Sequence, residues 1–167
     1  HAHVRRGGKV LGICGGYQML GRRVRDPQGV EGPPGQEADG LGYLALETEL
    51  APAKTTRTVT AATPDGACTL DGYEIHAGRS YGPATARPML RVAGAPEGAV
   101  SADGRIRGCY IHGLFAADAY RQHVLAELGH AGAETAYRER VDRALDSIAE
   151  QLARAVDVNR LRHLARG

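Results

Sequence analysis

The stretch Val-Leu-Gly-Ile-Cys-Gly-Gly-Tyr-Gln-Met-Leu-Gly at residues 10–21 constrains the fold of this chain more than any other feature. It opens with an apolar run that is too short for a helix and typical of a buried strand. After the paired glycines the apolar spacing fits a helix, and Cys14 stands at the corner between the two elements. A nucleophile on an abrupt strand-to-helix turn is the arrangement of a nucleophile elbow. The pattern therefore predicts a strand–turn–helix unit with Cys14 as the candidate nucleophile.

The residues around Cys14 suit a catalytic role. Gly12, Gly15 and Gly16 allow backbone angles that a side chain would resist, and they allow other groups to approach closely. A thiol at a helix N-terminus lies near the partial positive charge of the helix, which favours the thiolate. The backbone N–H groups that follow it are placed to hold a developing oxyanion. The alternative, a buried and inert cysteine, fits less well with glycines on both sides of the thiol.

Composition limits the class of protein. At 167 residues, with 43% hydrophobic and 24% charged residues, the chain suits one domain with a substantial core. No apolar run approaches the roughly 20 residues that span a bilayer, and no secretory signal is visible, so we expect no membrane partner. The three cysteines form no Cys-x-x-Cys pair, which predicts reduced thiols, a cytoplasmic location and no metal site, with Cys68 and Cys109 as small hydrophobic residues. The net charge of +2 with scattered arginines argues against nucleic-acid binding.

The rest of the chain alternates strand patterns, turn residues and helical patterns. Extended segments with turns between them favour antiparallel pairing in the middle of the chain. Apolar residues three and four apart predict the last helices, with Gly129 ending the first and Asp157 capping a short final one. In chain order the predicted elements are a helix at 16–24, a loop at 26–35, strands at 41–50, 55–63 and 72–76, a loop at 77–88, a strand at 89–93, a hairpin at 97–113 turning at Asp103-Gly104, and helices at 117–128 and from Glu134 onward.

These elements predict an α/β domain with a central sheet and helices on its faces. The strand at residues 10–13 would enter that sheet without the earlier neighbours expected beside it. The chain also lacks an initiator methionine, so we expect a piece of a longer polypeptide. Either an N-terminal part of the same domain or a partner would supply the missing strands.

A catalytic cysteine needs a base, and two of the seven histidines lie where a sheet places catalytic groups. His76 and His112 each end a predicted strand with glycine close behind, and α/β sheets bind ligands at such strand ends. We favour His112, because residues 110–115 pass from buried strand to loop at the imidazole itself. A Cys–His pair performs acyl transfer, in which the imidazole takes the thiol proton and later protonates the leaving amine.

Residues 12–21 closely resemble the nucleophile motif of class I glutamine amidotransferase domains of the cobyric acid synthase type. The resemblance implies a flavodoxin-like sheet that is incomplete on its N-terminal side, with residues 1–167 as the C-terminal part of the amidotransferase domain. Several motifs in order are far more specific than one. The other matching segments are Asp26-Pro27-x-Gly29-x-Glu31, Gly40-Leu41-Gly42, residues 72–78, Asp103-Gly104, residues 110–115 and residues 140–143.

The resemblance implies that the domain hydrolyses glutamine and passes ammonia to an N-terminal synthetase domain of the same polypeptide. That domain, absent from this chain, would use ATP and magnesium to amidate adenosylcobyrinic acid a,c-diamide, a corrinoid, in cobalamin biosynthesis. It implies no cofactor in this chain. Cys14 matches the nucleophile of the family and His112 its catalytic histidine. Gly15, Gly16 and Gln18 match substrate-binding positions, and Gly15 would donate one N–H to the oxyanion.

The chain departs at two points from the pattern of the families that it resembles. Many class I amidotransferases carry a glutamate two residues after the histidine, whereas this chain has Leu114, which cannot orient an imidazole. The cobyric acid synthase group is similar in lacking that acid, and we hypothesise that Glu74 orients His112 instead. The chain also has no Gly-x-x-x-x-Gly-Lys-Ser/Thr loop, so no ATP site of that kind is predicted here.

Other functions also fit the sequence. An amidotransferase subunit that acts on a peptidoglycan lipid precursor has nearly the same nucleophile motif, although residues 72–78 favour the cobyric acid synthase type. The chain could also be a catalytically silent module that binds a partner. A third alternative is a cysteine hydrolase of peptides or small amides that transfers no ammonia.

Overall fold

The strand–turn–helix unit expected at residues 10–21 is present in the computed structural model, which describes residues 1–130 and 136–166. The strand leads directly to Cys14, and a helix follows it. In chain order the strands are β1 (Val10–Ile13), β2 (Arg23–Asp26), β3 (Gln36–Asp39), β4 (Glu47–Ala62), β5 (Thr69–Tyr81), β6 (Leu90–Val92), β7 (Ala95–Glu97), β8 (Ala99–Val100), β9 (Ile106–Cys109) and β10 (Ile111–His112), and the α-helices are α1 (Ala2–Arg5), α2 (Gly15–Leu20), α3 (Asp118–Glu127), α4 (Tyr137–Ala155) and α5 (Val158–Leu164).

Helix α2 ends at Leu20, so the predicted extension to residue 24 is wrong. Gly21 takes an extended conformation, and the Arg22 N–H donates to the Leu46 carbonyl oxygen at 2.8 Å. A Cβ atom on Gly21 would lie 2.6 Å from Leu46 Cδ1. Close packing against Leu46 therefore draws the chain out of the helix and into β2.

Two sheets form the centre of the fold. The smaller has the order β1-β9-β8, with β1 parallel and β8 antiparallel to β9. The larger follows the path β10-β5-β4-β2-β3, and β6 and β7 join it through β4. The chain crosses between the sheets at Tyr110, which separates β9 from β10. Central sheets with flanking helices confirm the predicted α/β class.

Strands β4 and β5 form a long antiparallel pair in place of several shorter predicted elements. The segments expected as separate strands at 41–50 and 55–63 are replaced by one strand, β4, and the loop expected from residue 77 is still strand as far as Tyr81. The pairing runs from Glu47 opposite Tyr81 to Ala62 opposite Thr69 and continues across an irregularity between Glu49 and Lys54. Cross-strand pairing thus overrides the local turn residues.

Two turn predictions are confirmed. Asp103 Oδ1 accepts hydrogen bonds from the Ser101 hydroxyl at 2.6 Å and from the Arg105 N–H at 3.2 Å, and Gly104 has φ +73°. These contacts close the turn that joins β8 to β9. Gly129 has φ +81° and follows Leu128, the C-cap of α3, as expected of a helix-ending glycine.

The core consists of two apolar clusters. One contains Cys68, Cys109, Ile111 and Tyr120, and the other packs Tyr17 and other residues of the elbow region. Burial raises the pKa of the Cys109 thiol to about 12, so this thiol stays protonated. Both cysteines are therefore confirmed as small hydrophobic residues of the core.

The C-terminal helices differ in how they pack. α3 agrees with the predicted helix at 117–128, whereas α4 buries no side chain. The predicted start of α4 near Glu134 lies outside the described residues. The Asp157 carboxylate accepts the Arg160 N–H at 2.9 Å, which confirms the predicted cap of α5. Within the described ranges, no helix has the length and apolar character needed to cross a membrane.

Candidate active site

Cys14 carries the strained backbone of the elbow. Its φ of +54° and ψ of −116° lie in a region that non-glycine residues rarely occupy. The Cys14 N–H donates to the Cys109 carbonyl oxygen at 2.9 Å, and the Cys14 carbonyl oxygen accepts the Gln18 N–H at 3.2 Å. The strained residue is thus held from both sides, by the parallel strand β9 and by α2. Strain of this kind that the surrounding structure maintains is typical of functional positions.

Of the glycines next to Cys14, only Gly12 is required for close packing, and none of the three takes the strained backbone angles. A Cβ on Gly12 would lie 2.7 Å from both the Gly16 carbonyl oxygen and Leu20 Cδ1, so α2 can rest on β1 only where residue 12 has no side chain. Gly15 and Gly16 begin a regular helix, and a Cβ on either would meet no atom within 4 Å. The expectation that glycines take the strained angles is therefore wrong, since Cys14 itself takes them.

Cys14 opens into a cavity of about 390 Å³, within the size range of small-molecule sites. The thiol donates to the Ile75 carbonyl oxygen at 3.6 Å. The structure thus brings three predicted site residues, Cys14, Gly15 and Gln18, to one cavity, whereas Gly16 and His112 do not line it. The lining residues are Cys14, Gly15, Gln18, Val30, Glu31, Pro52, Lys54, Ile75, His76 and Ala77.

His76 is the histidine that lines this cavity. Its ring stacks on Tyr110 with 3.8 Å between ring centroids, and its Nδ1 lies 3.2 Å from the Gly78 carbonyl oxygen. Burial lowers its pKa below the ordinary value, which favours the neutral imidazole at pH 7. The side-chain amide of Gln18 donates to the Ala77 carbonyl oxygen at 3.2 Å and to the Tyr110 hydroxyl at 3.4 Å. One wall of the cavity is therefore a connected set of polar and aromatic contacts.

His112 lies on β10, opposite Tyr73 of β5, and the two rings stack with 4.9 Å between centroids. Its Nε2 atom is buried without a hydrogen-bond partner among the described residues. The carbonyl oxygen that accepts the Cys14 N–H belongs to Cys109, three positions before His112. Because consecutive Cα atoms are about 3.8 Å apart, the Cα atom of His112 lies within about 12 Å of the Cα atom of Cys109, the residue that accepts the Cys14 N–H.

Glu74 does not serve as a partner of His112 in this structure. Its buried carboxylate accepts hydrogen bonds from Arg57 Nε at 2.8 Å and Arg57 Nη2 at 3.3 Å. Glu74 is opposite Ile111 in the strand pair, while His112 is opposite Tyr73, and neighbouring residues of a strand point to opposite faces. The two side chains therefore project from opposite faces of the sheet. Leu114, the position of the missing acid, is buried in the core.

The loop after β2 is built around one carboxylate. Asp26 accepts three backbone N–H groups, from Val30 at 2.7 Å, Glu31 at 2.9 Å and Gly32 at 3.0 Å. These bonds lower the pKa of Asp26 below its ordinary value. The loop residues Val30 and Glu31 thereby come to the cavity of Cys14. The sequence does not predict that this loop belongs to the site, because no local signal indicates which residues the loop faces.

We expect Asp26→Asn to lower the stability of the protein at neutral pH, because an amide nitrogen cannot accept the backbone N–H groups. The folded-state pKa is lowered, so the contribution of Asp26 is present above the unfolded value of about 3.9 and is lost as the pH falls through the lower folded value. The difference in unfolding midpoint between wild type and variant, measured by denaturant titration, should therefore shrink from pH 7 to pH 3. Asp39→Asn, at an exposed position, is the control. A difference that is the same at both pH values would contradict this role.

Comparison with known proteins identifies the family to which the chain belongs. Residues 1–120 match the CobB/CobQ-like glutamine amidotransferase domain. The chain is 55% identical over 157 residues to the cobyric acid synthase of Rhizobium etli, covering 93% of this chain and 32% of that protein. It is 51% identical over 164 residues to the cobyric acid synthase of Brucella canis, covering 98% of this chain and 34% of that protein. The chain thus spans about a third of the length of these curated relatives, and it belongs to the family of CobB/CobQ-like glutamine amidotransferase domains.

Proposed function

We propose that this chain is the glutamine-hydrolysing part of a cobyric acid synthase and that Cys14 is its nucleophile. The observation that carries the proposal is the strained backbone of Cys14 at a position that lines a cavity. Gly15 and Gln18 line the same cavity. An inert cysteine would gain nothing from such strain. The chain is 51–55% identical to proteins named cobyric acid synthase. This identity supports a corrinoid as the acceptor of the ammonia over a peptidoglycan lipid precursor.

In the proposed reaction the Cys14 thiol transfers its proton to His112, and the thiolate attacks the side-chain carbonyl carbon of glutamine. The Gly15 N–H stabilises the oxyanion of the tetrahedral intermediate. The imidazolium returns the proton to the departing nitrogen, ammonia leaves, and a thioester of glutamate on Cys14 remains. Water, deprotonated by the same imidazole, then hydrolyses the thioester and releases glutamate. The Nε2 atom of His112 has no hydrogen-bond partner among the described residues, which supports its role as the proton carrier.

The ammonia would be used by the part of the longer polypeptide that precedes this chain in its relatives. ATP, magnesium and the corrinoid acceptor would bind to that part. The described residues contain no group of three or more His, Cys, Asp or Glu side chains arranged to hold a metal ion. The chemistry proposed for this chain itself is glutamine hydrolysis.

The test is ammonia release from glutamine by the intact polypeptide, with and without ATP and a cobyrinic acid diamide. We expect release of ammonia and glutamate, together with ATP-dependent amidation of the corrinoid. Glutamine hydrolysis without amidation would contradict the acceptor while leaving the glutaminase intact. Absence of hydrolysis under all conditions would instead favour a silent partner-binding module.

A further inference from the structure

The imidazole of His112 is oriented neither by the residue at position 114 nor by Glu74. Position 114 is a leucine buried in the core, and the Glu74 carboxylate is bound to Arg57. Within the described ranges, Nε2 of His112 is buried without a hydrogen-bond partner. The ring of a histidine turns about a torsion with broad preferences, so another contact must hold it for proton transfer.

The backbone of His112 is held by its pairing with β5. Strand β10 has two residues, and they pair with Glu74 and Tyr73 in antiparallel register. A Cβ on Gly72 would lie 2.4 Å from the His112 carbonyl oxygen, so β10 approaches β5 this closely only because residue 72 has no side chain. His112 and Tyr73 are therefore directly opposite each other, and their side chains project from the same face of the sheet.

The ring of Tyr73 lies flat against the imidazole of His112. The two ring centroids are 4.9 Å apart, and the ring planes are 6° from parallel. Such a stack restricts rotation of the imidazole, because turning the ring would break the parallel contact. The face of a tyrosine ring also attracts a cation within about 6 Å of its centroid. In the proposed reaction the imidazole becomes a cation when it accepts the thiol proton.

Tyr73 lies near the cavity of Cys14 without lining it. Ile75 is two residues further along β5, and its carbonyl oxygen accepts a hydrogen bond from the Cys14 thiol at 3.6 Å. Two residues of a strand span about 7 Å. The Tyr73 side chain is 48% exposed, so its replacement removes little core packing. Tyr73 is therefore placed to act on His112 and not on a ligand of the cavity.

We propose that Tyr73 is a positioning residue for His112. Its ring holds the imidazole in one orientation and stabilises the imidazolium that forms during glutamine hydrolysis. A stacked aromatic ring thereby takes the place of an orienting acid. The inference rests on the proposed glutaminase function, in which His112 carries the proton, and it adds to that function a residue that touches no reacting atom.

Tyr73→Leu is the test, and Tyr73→Phe is the variant that keeps an aromatic ring. In the intact polypeptide, Tyr73→Leu should lower kcat for glutamine about 10-fold and leave KM near that of wild type, because the histidine is affected and the cavity is not. Tyr73→Phe should restore most of kcat, since phenylalanine stacks in the same way. Tyr81→Leu, on the same strand and 42% exposed, is the matched control and should leave both constants unchanged.

A double variant separates positioning of His112 from a general structural effect. Because Tyr73 acts through His112, Tyr73→Leu should cause little further loss of kcat when it is combined with His112→Asn. Losses that multiply in the double variant would contradict the inference. A kcat of Tyr73→Leu equal to that of wild type would also overturn it and would leave the glutaminase function intact.

A spectroscopic measurement decides the inference if the wild type does not hydrolyse glutamine. The Cε1–H NMR resonance of His112, assigned by its loss in His112→Asn, should be displaced by the ring current of Tyr73. Movement of this resonance in Tyr73→Leu, with its position kept in Tyr73→Phe and in Tyr81→Leu, would support the inference. A resonance that does not move in Tyr73→Leu would overturn it, because no stack would then hold the imidazole.

Discussion

Cys14→Ala is expected to abolish glutamine hydrolysis, lowering kcat by a factor on the order of 10⁴ to 10⁶, as loss of the nucleophile does in other acyl-transfer enzymes. Without the thiol no thioester forms, and the remaining oxyanion donor and binding contacts give only residual catalysis. Alanine has the same Cβ as cysteine, so the strained backbone at φ +54° should persist. The measurement is ammonia release by the intact polypeptide, with thermal unfolding recorded alongside to show that the fold is retained.

Cys68→Ala is the matched control, because Cys68 is buried in the core and does not line the cavity. It should lower stability and leave the kcat of the folded protein near that of wild type. Ammonium salt added to the Cys14→Ala variant should restore ATP-dependent amidation, since the proposal assigns the acceptor chemistry to another part of the polypeptide. Turnover of glutamine by Cys14→Ala at a rate close to that of wild type would place the nucleophile elsewhere.

The second large effect is expected at His112. His112→Asn should lower kcat by roughly 10²- to 10⁴-fold, the usual contribution of a positioned general acid–base. Asparagine keeps a polar side chain on β10 but neither accepts nor releases a proton near neutral pH. The limb of the pH profile of kcat/KM that reports deprotonation of the base should disappear with it. Single-turnover measurement of thioester formation would show whether the first chemical step is the one that slows.

His76→Asn separates this role from that of the histidine that lines the cavity. We expect a change of less than tenfold in kcat and a retained pH profile, because His76 stacks on Tyr110 and shapes the cavity wall. The opposite pattern, a large loss of kcat in His76→Asn and a small loss in His112→Asn, would indicate that His76 is the general base. His76 is next to Ala77, whose carbonyl oxygen accepts a hydrogen bond from the Gln18 side chain. The KM of the His76→Asn variant for glutamine should therefore be measured as well.

Features that depend on a few neighbouring residues were correctly predicted from the sequence. The elbow at Cys14 follows from an apolar run, a glycine pair and a helical spacing in close succession. The turn at Asp103-Gly104 and the cap at Asp157 are likewise decided by side chains that bond to backbone two or three residues away. Because these signals depend on neighbouring residues, they are largely independent of tertiary packing.

Long-range pairing decided what the sequence pattern could not. The span of β4 and β5 was missed because Pro52 and Gly78 look like chain breaks, whereas in the fold they form a bulge within one strand pair. The hypothesis that Glu74 orients His112 depended on which face of the sheet each residue occupies, and the register places them on opposite faces.

The sequence by itself determined the elbow and the α/β class, because both follow from hydrophobic spacing and turn residues along a continuous segment. Only the tertiary structure decided that Cys14 itself takes the strained angles, that His76 lines its cavity, and that Glu31 and Lys54 meet there. The physical reason is separation along the chain. The cavity is assembled from four segments, around residues 14–18, 30–31, 52–54 and 75–77, which lie far apart in the sequence and meet only in the fold.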